Sequence, residues 1–327
     1  MCPPSVANQH GLPTDLRESP PFRSTGSLYQ GITDRAHAMS FVPWIMCGGV
    51  LSEGPVWDQR QERLYWTDID RGRVYSCDLD SSRPDTVYNG VGVGGLTLQT
   101  DNSLLLFRQN DISRLNQDGT LSLVVNFHHE GSLRFNDVAA DPRSRVLAGT
   151  IGKGGGSGGL FLFEVDGSYR MVAADTDCSN GLGFSPDGTI LYWTCSTRRL
   201  IFAFDYDQAL GRLTNQRIFV RVEAGDGIPD GLTVDASGCV YSARWGADKV
   251  GVVIYTPNGK EVARLDKPAD AVTSLCFAGP LLDQLVVTTA AQADDSSARH
   301  DLYQLSDGLS PGKPEYRSAL HPGSSKP

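Results

Sequence analysis

Apolar and polar positions along this chain alternate with a period of two in short runs, and the runs recur as a larger unit. Gly54-Pro-Val-Trp-Asp-Gln-Arg-Gln-Glu-Arg-Leu-Tyr-Trp-Thr-Asp68 passes from one alternating run through a polar turn into a second. Gly181-Leu-Gly-Phe-Ser-Pro-Asp-Gly-Thr-Ile-Leu-Tyr-Trp-Thr-Cys195 does the same, and Gly231-Leu-Thr-Val-Asp-Ala-Ser-Gly-Cys-Val-Tyr-Ser-Ala243 is a third copy. Weaker copies begin near Gly95, Asp137 and Ser274. Third runs follow in most copies, such as Arg73-Val-Tyr-Ser-Cys-Asp78 and Gly159-Leu-Phe-Leu-Phe-Glu164, rich in the β-branched and aromatic residues that suit strands. Start to start, the copies lie roughly 40 to 50 residues apart, the spacing of four-stranded propeller blades. No stretch holds a 3.6-residue apolar period over three turns. A β-sandwich would also use short strands, but it does not need a similar string to recur six times. The pattern therefore predicts an all-β, six-bladed β-propeller over residues 27–311.

The ends of the chain read differently. Residues 1–26 carry Pro3, Pro4, Pro13, Pro20 and Pro21 among scattered charges and lack the basic start and apolar centre of a secretory signal. They are expected to form a flexible extension, with a ring-closing strand within Ala38-Met-Ser-Phe-Val-Pro-Trp-Ile45. Residues 312–327, rich in Pro and Ser, are expected to be a flexible, frayed tail.

Charge and cysteine content narrow the partners. A net charge of −9 disfavours nucleic acid or an anionic membrane surface. No run approaches the ~20 apolar residues that span a bilayer. The 7 cysteines are scattered, with no CxxC pair or zinc-ligand spacing. Cys77, Cys195, Cys239 and Cys276 fall in predicted strands, where a free cysteine behaves as a small hydrophobe. These features predict a cytoplasmic protein, monomeric or a small homo-oligomer, whose partner is a small molecule.

The repeat also concentrates chemistry. Glu53, Asn136, Asn180 and Asp230 occupy corresponding positions, each just before an alternating run: Glu53-Gly-Pro-Val-Trp, Asn136-Asp-Val-Ala-Ala, Asn180-Gly-Leu-Gly-Phe and Asp230-Gly-Leu-Thr-Val. In a propeller the innermost strand of each blade lines the central channel, so residues at its mouth converge on the axis. Any one Asn or Asp before Gly is ordinary turn chemistry; four equivalent ones make an oxygen-lined cavity suited to a hard cation. Two carboxylates with one or two amides would neutralise a divalent ion and leave room for water and substrate. Arg134, two residues before Asn136, is placed at the same mouth, where a guanidinium can hold substrate oxygens.

Other features carry less. Histidines fall outside the repeated strand starts; His128-His129 reads as a solvated loop pair. The run Gly152-Lys-Gly-Gly-Gly-Ser-Gly-Gly159 imitates a phosphate loop, yet a strand follows it, not a helix. Cys178 reads as a core residue, despite its nearness to Asn180.

Taken in order, Ser52-Glu-Gly-Pro-Val-Trp, Arg134-Phe-Asn-Asp, Ser179-Asn-Gly-Leu, Ser185-Pro-Asp-Gly and Pro229-Asp-Gly-Leu resemble the motifs of the gluconolactonase/regucalcin (senescence marker protein) family, over about Gly49 to Ala290. The resemblance implies a six-bladed propeller holding one divalent metal ion and hydrolysing a sugar lactone. It implies Glu53, Asn180 and Asp230 as metal ligands, Asp230 also as the base, and Arg134 with Asn136 as the substrate-positioning pair. Calcium is the first expectation for the metal, with zinc, manganese and iron(II) as alternatives. One departure stands out: the loop after Gly149-Thr-Ile, longer and acidic in regucalcin-type members, is here the short Gly/Ser run 152–159. That implies a more open or differently charged mouth. A metal-dependent organophosphate hydrolase and a calcium-binding regulatory scaffold remain the alternative readings.

Overall fold

The computed structural model describes residues 32, 36, 39–269, 271–291, 301–306 and 309–322. The expected N-terminal extension, 1–26, lies outside them, as do residues 323–327. The chain forms six four-stranded antiparallel sheets, the predicted six-bladed propeller. The innermost strands are Ser52–Asp58, Gly95–Leu98, Ser132–Ala140, Ser179–Phe184, Ile228–Val234 and Val272–Ala278. Each packs against the next, and the first meets the last. Val42–Ile45 completes the sixth blade by pairing antiparallel with Leu302–Ser306. This is the ring-closing strand expected from Ala38-Met-Ser-Phe-Val-Pro-Trp-Ile45, and it ties one end of the propeller's chain to the other.

The repeated Leu-Tyr-Trp-Thr strings explain the blade cores. Trp66 and Trp193 are fully buried and stack on Tyr75 and Phe202 of the adjoining strands, with ring centroids 5.5 and 5.6 Å apart. On the face away from the site, the turns after the innermost strands are built on aspartates. Asp101 and Asp235 accept the backbone N–H two residues on, at 3.0 and 2.9 Å, which satisfies the turn without a sheet partner. Of the cysteines, Cys77, Cys195 and Cys276 lie in strands as expected; Cys239 sits just before its strand, and all four are buried free thiols.

The C-terminal segment departs from expectation. Residues 312–322, read from their composition as part of a frayed tail, pack across the face of the ring opposite the site. Gly312 bridges Asp235 of the fifth blade, and Ser318 bridges Gln99 of the second. The Arg317 guanidinium pairs with the buried Asp58 carboxylate of the first blade, while Tyr316 packs edge-on against Phe184 of the fourth. Leu320 is fully buried in a core shared with Phe107, Phe135 and Phe163. The segment forms no regular element; its backbone is satisfied in isolated bridges while single apolar anchors fix it. Lys313, Glu315 and Tyr316 thereby line the lower end of the central channel.

Candidate functional site

The innermost strands do not run straight. Pairing with the second strand slips between Glu53 and Val56, between Phe135 and Val138, between Asn180 and Leu182, and between Pro229 and Leu232. A β-bulge re-aims the side chain beside it, and here one falls beside each of the four repeat-equivalent residues. The second blade's strand, Gly95–Leu98, pairs without a slip and contributes no polar group to the site. Small residues let the strands crowd together: a Cβ on Gly231 would stand 2.3 Å from Ser274 Oγ, and one on Gly181 would stand 2.6 Å from the Asp230 carbonyl oxygen.

Glu53, Arg134, Asn136, Asn180 and Asp230 line one cavity of about 130 Å³ at the channel mouth. Three of the strands are linked by side-chain bonds. Arg134 Nη1 donates to Asn136 Oδ1 at 2.7 Å and to the Phe135 carbonyl at 2.8 Å. Asn136 Nδ2 donates to the Ser179 carbonyl at 3.0 Å and to Asn180 Oδ1. Asn180 Nδ2 in turn donates to Ser196 Oγ at 2.8 Å, and that hydroxyl donates to the Pro229 carbonyl at 2.6 Å. Each amide orientation is thus fixed by its neighbours.

The carboxylates are not matched in this way. Among the described residues, Asp230 Oδ1 is buried without a hydrogen-bond partner. Burial pushes the Asp230 carboxyl well above its ordinary range, and the nearby Asp137 carboxylate pushes it further. Glu53 is likewise raised, first by burial and then by Asp230 and Asp137. Asp137 itself goes up to about 7 through burial, with Arg134 and the Gly181 amide acting against the rise. Burial also lowers Arg134 below the usual guanidinium range. Among the described residues, three acids therefore face one guanidinium, and Arg134 and the Asn180 side chain act against the rise at Asp230. Of the side-chain oxygens described, the orphaned Asp230 oxygen and the adjacent Glu53 are those that could hold a hard divalent cation, while the amide oxygens of Asn136 and Asn180 already accept from Arg134 and Asn136.

Several contributors were not singled out from sequence. Asp137 follows Asn136 and carries no signal of its own in the repeat, because the position after the strand-start residue is Gly in three of the four motifs. Ser196, Ile69, Ile151 and Trp245 lie at or beyond the mouth ends of second strands, outside the repeated strings, and so carried no periodic signal. Leu51 and Ile228 precede the strand-start residues. Cys178, expected in the core, is buried in the wall of the cavity. His128 is exposed, and His129 packs against Phe161 while its Nδ1 meets Ser132 Oγ at 3.1 Å; neither lines the cavity. The Gly-rich run is a loop between the strands Val146–Gly152 and Gly158–Phe163, held by Asp177 through the Gly156 and Ser157 amides at 2.9 and 3.1 Å.

A six-bladed propeller with a carboxylate–amide–guanidinium cavity at one end of its channel defines the class. The SMP-30/Gluconolactonase/LRE-like region matches residues 51–291, and the chain belongs to that family. It is 36% identical over 290 residues to the pentonolactonase XacC of Haloferax volcanii, covering 84% of this chain and 96% of that protein. It is 30% identical over 254 residues to regucalcin of Xenopus laevis, covering 75% and 85%. Among solved structures it superposes on a luciferin-regenerating enzyme with a TM-score of 0.76 at 24% identity, covering 83% of this chain and 96% of that one. A calcium-binding regucalcin from Agrobacterium tumefaciens gives a TM-score of 0.72 at 24% identity, covering 85% and 97%. These two structural likenesses establish the fold.

Proposed function

We propose that the protein is a metal-dependent lactonase that opens a sugar lactone at this cavity. The observation that carries the reading is the buried Asp230 Oδ1 beside Glu53, without a hydrogen-bond partner among the described residues, where three acids face one guanidinium. Support comes from the relatives, named as a pentonolactonase and as a 6-deoxy-6-sulfogluconolactonase at 36% and 29% identity. Glu53, Asn180 and Asp230 would hold one divalent cation, and calcium suits an all-oxygen set best. When bound, the cation supplies Lewis-acid polarisation of the lactone carbonyl.

The chain's own residues then have distinct tasks. Asp230 accepts a proton from the attacking water as the water oxygen bonds to the carbonyl carbon. The acyl–oxygen bond breaks, and the same proton passes to the departing ring oxygen, leaving a hydroxy acid. Among the described residues Arg134 bonds only through Nη1, so its Nε and Nη2 orient substrate oxygens, while Asn136 holds the guanidinium in place. The test pairs calorimetric calcium titration with lactone hydrolysis in wild type and Glu53→Gln. The variant is expected to lose both calcium binding and turnover. Full activity in a variant that retains no metal would contradict the scheme.

A further inference from the structure

Each blade is a separate sheet, so no backbone ladder fixes how far apart Glu53, Asn180 and Asp230 stand. A hard cation takes its oxygens at about 2.3–2.6 Å and needs that spacing held. Side chains from the preceding blade cross to one recurring place, the peptide carbonyl directly before each of the three residues. The Ser179 carbonyl, before Asn180, accepts from Asn136 Nδ2 of the third blade at 3.0 Å. The Pro229 carbonyl, before Asp230, accepts from Ser196 Oγ of the fourth blade at 2.6 Å. The Ser52 carbonyl, before Glu53, accepts from Thr273 Oγ1 of the sixth blade at 2.6 Å. A bond to a carbonyl fixes its peptide plane, and that plane sets where the next side chain starts.

The two hydroxyls are themselves held. Ser196 is buried at the head of the turn Ser196–Arg198, where its N–H donates to the Cys178 carbonyl at 3.1 Å and its Oγ accepts from Asn180 Nδ2 at 2.8 Å. One hydroxyl thus fixes the amide of one candidate ligand and the backbone beside another. Arg199 closes the turn in the left-handed region, at φ 54°, and its Nη2 reaches the carbonyls of Glu223, Ala224 and Gly227 in the loop before Asp230's strand. Strained backbone of this kind persists where the surroundings over-determine it. Thr273 is fully buried, and its Oγ1 meets Thr288 Oγ1 at 2.8 Å.

The same bond also occurs where no ligand follows. Thr67 Oγ1 of the first blade donates to the Val93 carbonyl at 2.8 Å. Val93 precedes Gly94, which stands in Gly94-Gly-Leu-Thr where Asp230 stands in Asp230-Gly-Leu-Thr. Resting on the metal-dependent lactonase reading, we propose that Ser196 and Thr273 are positioning residues for the cation. Their hydroxyls hold Asp230 and Glu53 where both carboxylates reach one ion.

Calorimetric calcium titration, with thermal unfolding in EDTA beside it, tests this on wild type, Ser196→Ala, Thr273→Val and Thr67→Val. Thr67 lies opposite Glu53 in the first blade's ladder, and valine keeps its shape there. Ser196→Ala and Thr273→Val should each weaken the calcium Kd by about 10- to 100-fold, the usual cost of removing a group that orients a metal ligand. Ser196→Thr, which keeps the hydroxyl, should retain wild-type affinity. Thr67→Val should lower Tm in EDTA as the other two deletions do, yet leave the calcium Kd unchanged. Wild-type calcium affinity in Ser196→Ala and Thr273→Val, or a loss in Thr67→Val as large as theirs, overturns the positioning role and leaves the lactonase reading standing. A wild type that binds no calcium overturns both.

Discussion

Replacing Asp230 with Asn should stabilise the metal-free protein while removing its response to metal. Among the described residues the Asp230 Oδ1 atom is buried and has no hydrogen-bond partner, with Glu53 and Asp137 nearby as like charges. An unsatisfied buried polar atom costs about 1–3 kcal/mol, and more when charged. Asparagine keeps the shape, removes the charge and brings an N–H that a neighbouring carboxylate can accept. At roughly 2–4 °C per kcal/mol for a domain of this scale, a gain of that size raises Tm by about 2–12 °C in chelator. Calcium acts in the opposite order. At about 100 times Kd, a ligand specific to the folded state adds about 2.7 kcal/mol to wild type, and it adds little to a variant lacking a ligand carboxylate. Thermal unfolding in EDTA and in calcium should therefore show the two proteins exchanging rank. A variant no more stable than wild type in EDTA, together with a wild type indifferent to calcium, would refute the reasoning.

Three further outcomes follow from other parts of the structure. Asp137 is raised from 3.8 to about 7 in the folded state, so the folded protein holds a proton that the unfolded chain releases between those values. Metal-free protein should lose stability from this group as pH rises through that window, and Asp137→Asn should melt above wild type by a margin that widens from pH ~4.5 to ~7.5. Leu320 is fully buried under the ring; Leu320→Ala should cost about 2–5 kcal/mol in denaturant unfolding and leave kcat unchanged. Arg134→Lys keeps the charge but loses the fork that reaches both Asn136 Oδ1 and the Phe135 carbonyl. Its kcat/KM should fall by roughly 10- to 100-fold, read from initial rates on the best lactone.

The blades were legible because each copy repeats both its apolar alternation and its turn chemistry. Trp66 and Trp193 occupy equivalent core positions, and Asp101 and Asp235 cap equivalent turns. The convergence of Glu53, Asn136, Asn180 and Asp230 followed from that same repetition, although the bulges that aim them leave no mark in the alternation. What composition concealed was tertiary. Residues 312–322 look like a tail because they belong to the Pro- and Ser-bearing end of the chain and lack apolar alternation, yet Leu320, Tyr316 and Arg317 each find one specific partner surface. The apolar lining of the cavity was equally hidden: Ile69, Ile151 and Trp245 come from different blades, and their proximity depends on ring closure rather than on local pattern.

The most direct test is hydrolysis of a lactone panel by metal-stripped protein, before and after each divalent ion is restored. Negligible turnover without metal, and turnover regained with calcium above the other ions, is the expected result. Equal turnover with and without metal, or metal binding with no lactone opened, would contradict the assignment of this cavity as a metal-dependent lactonase site.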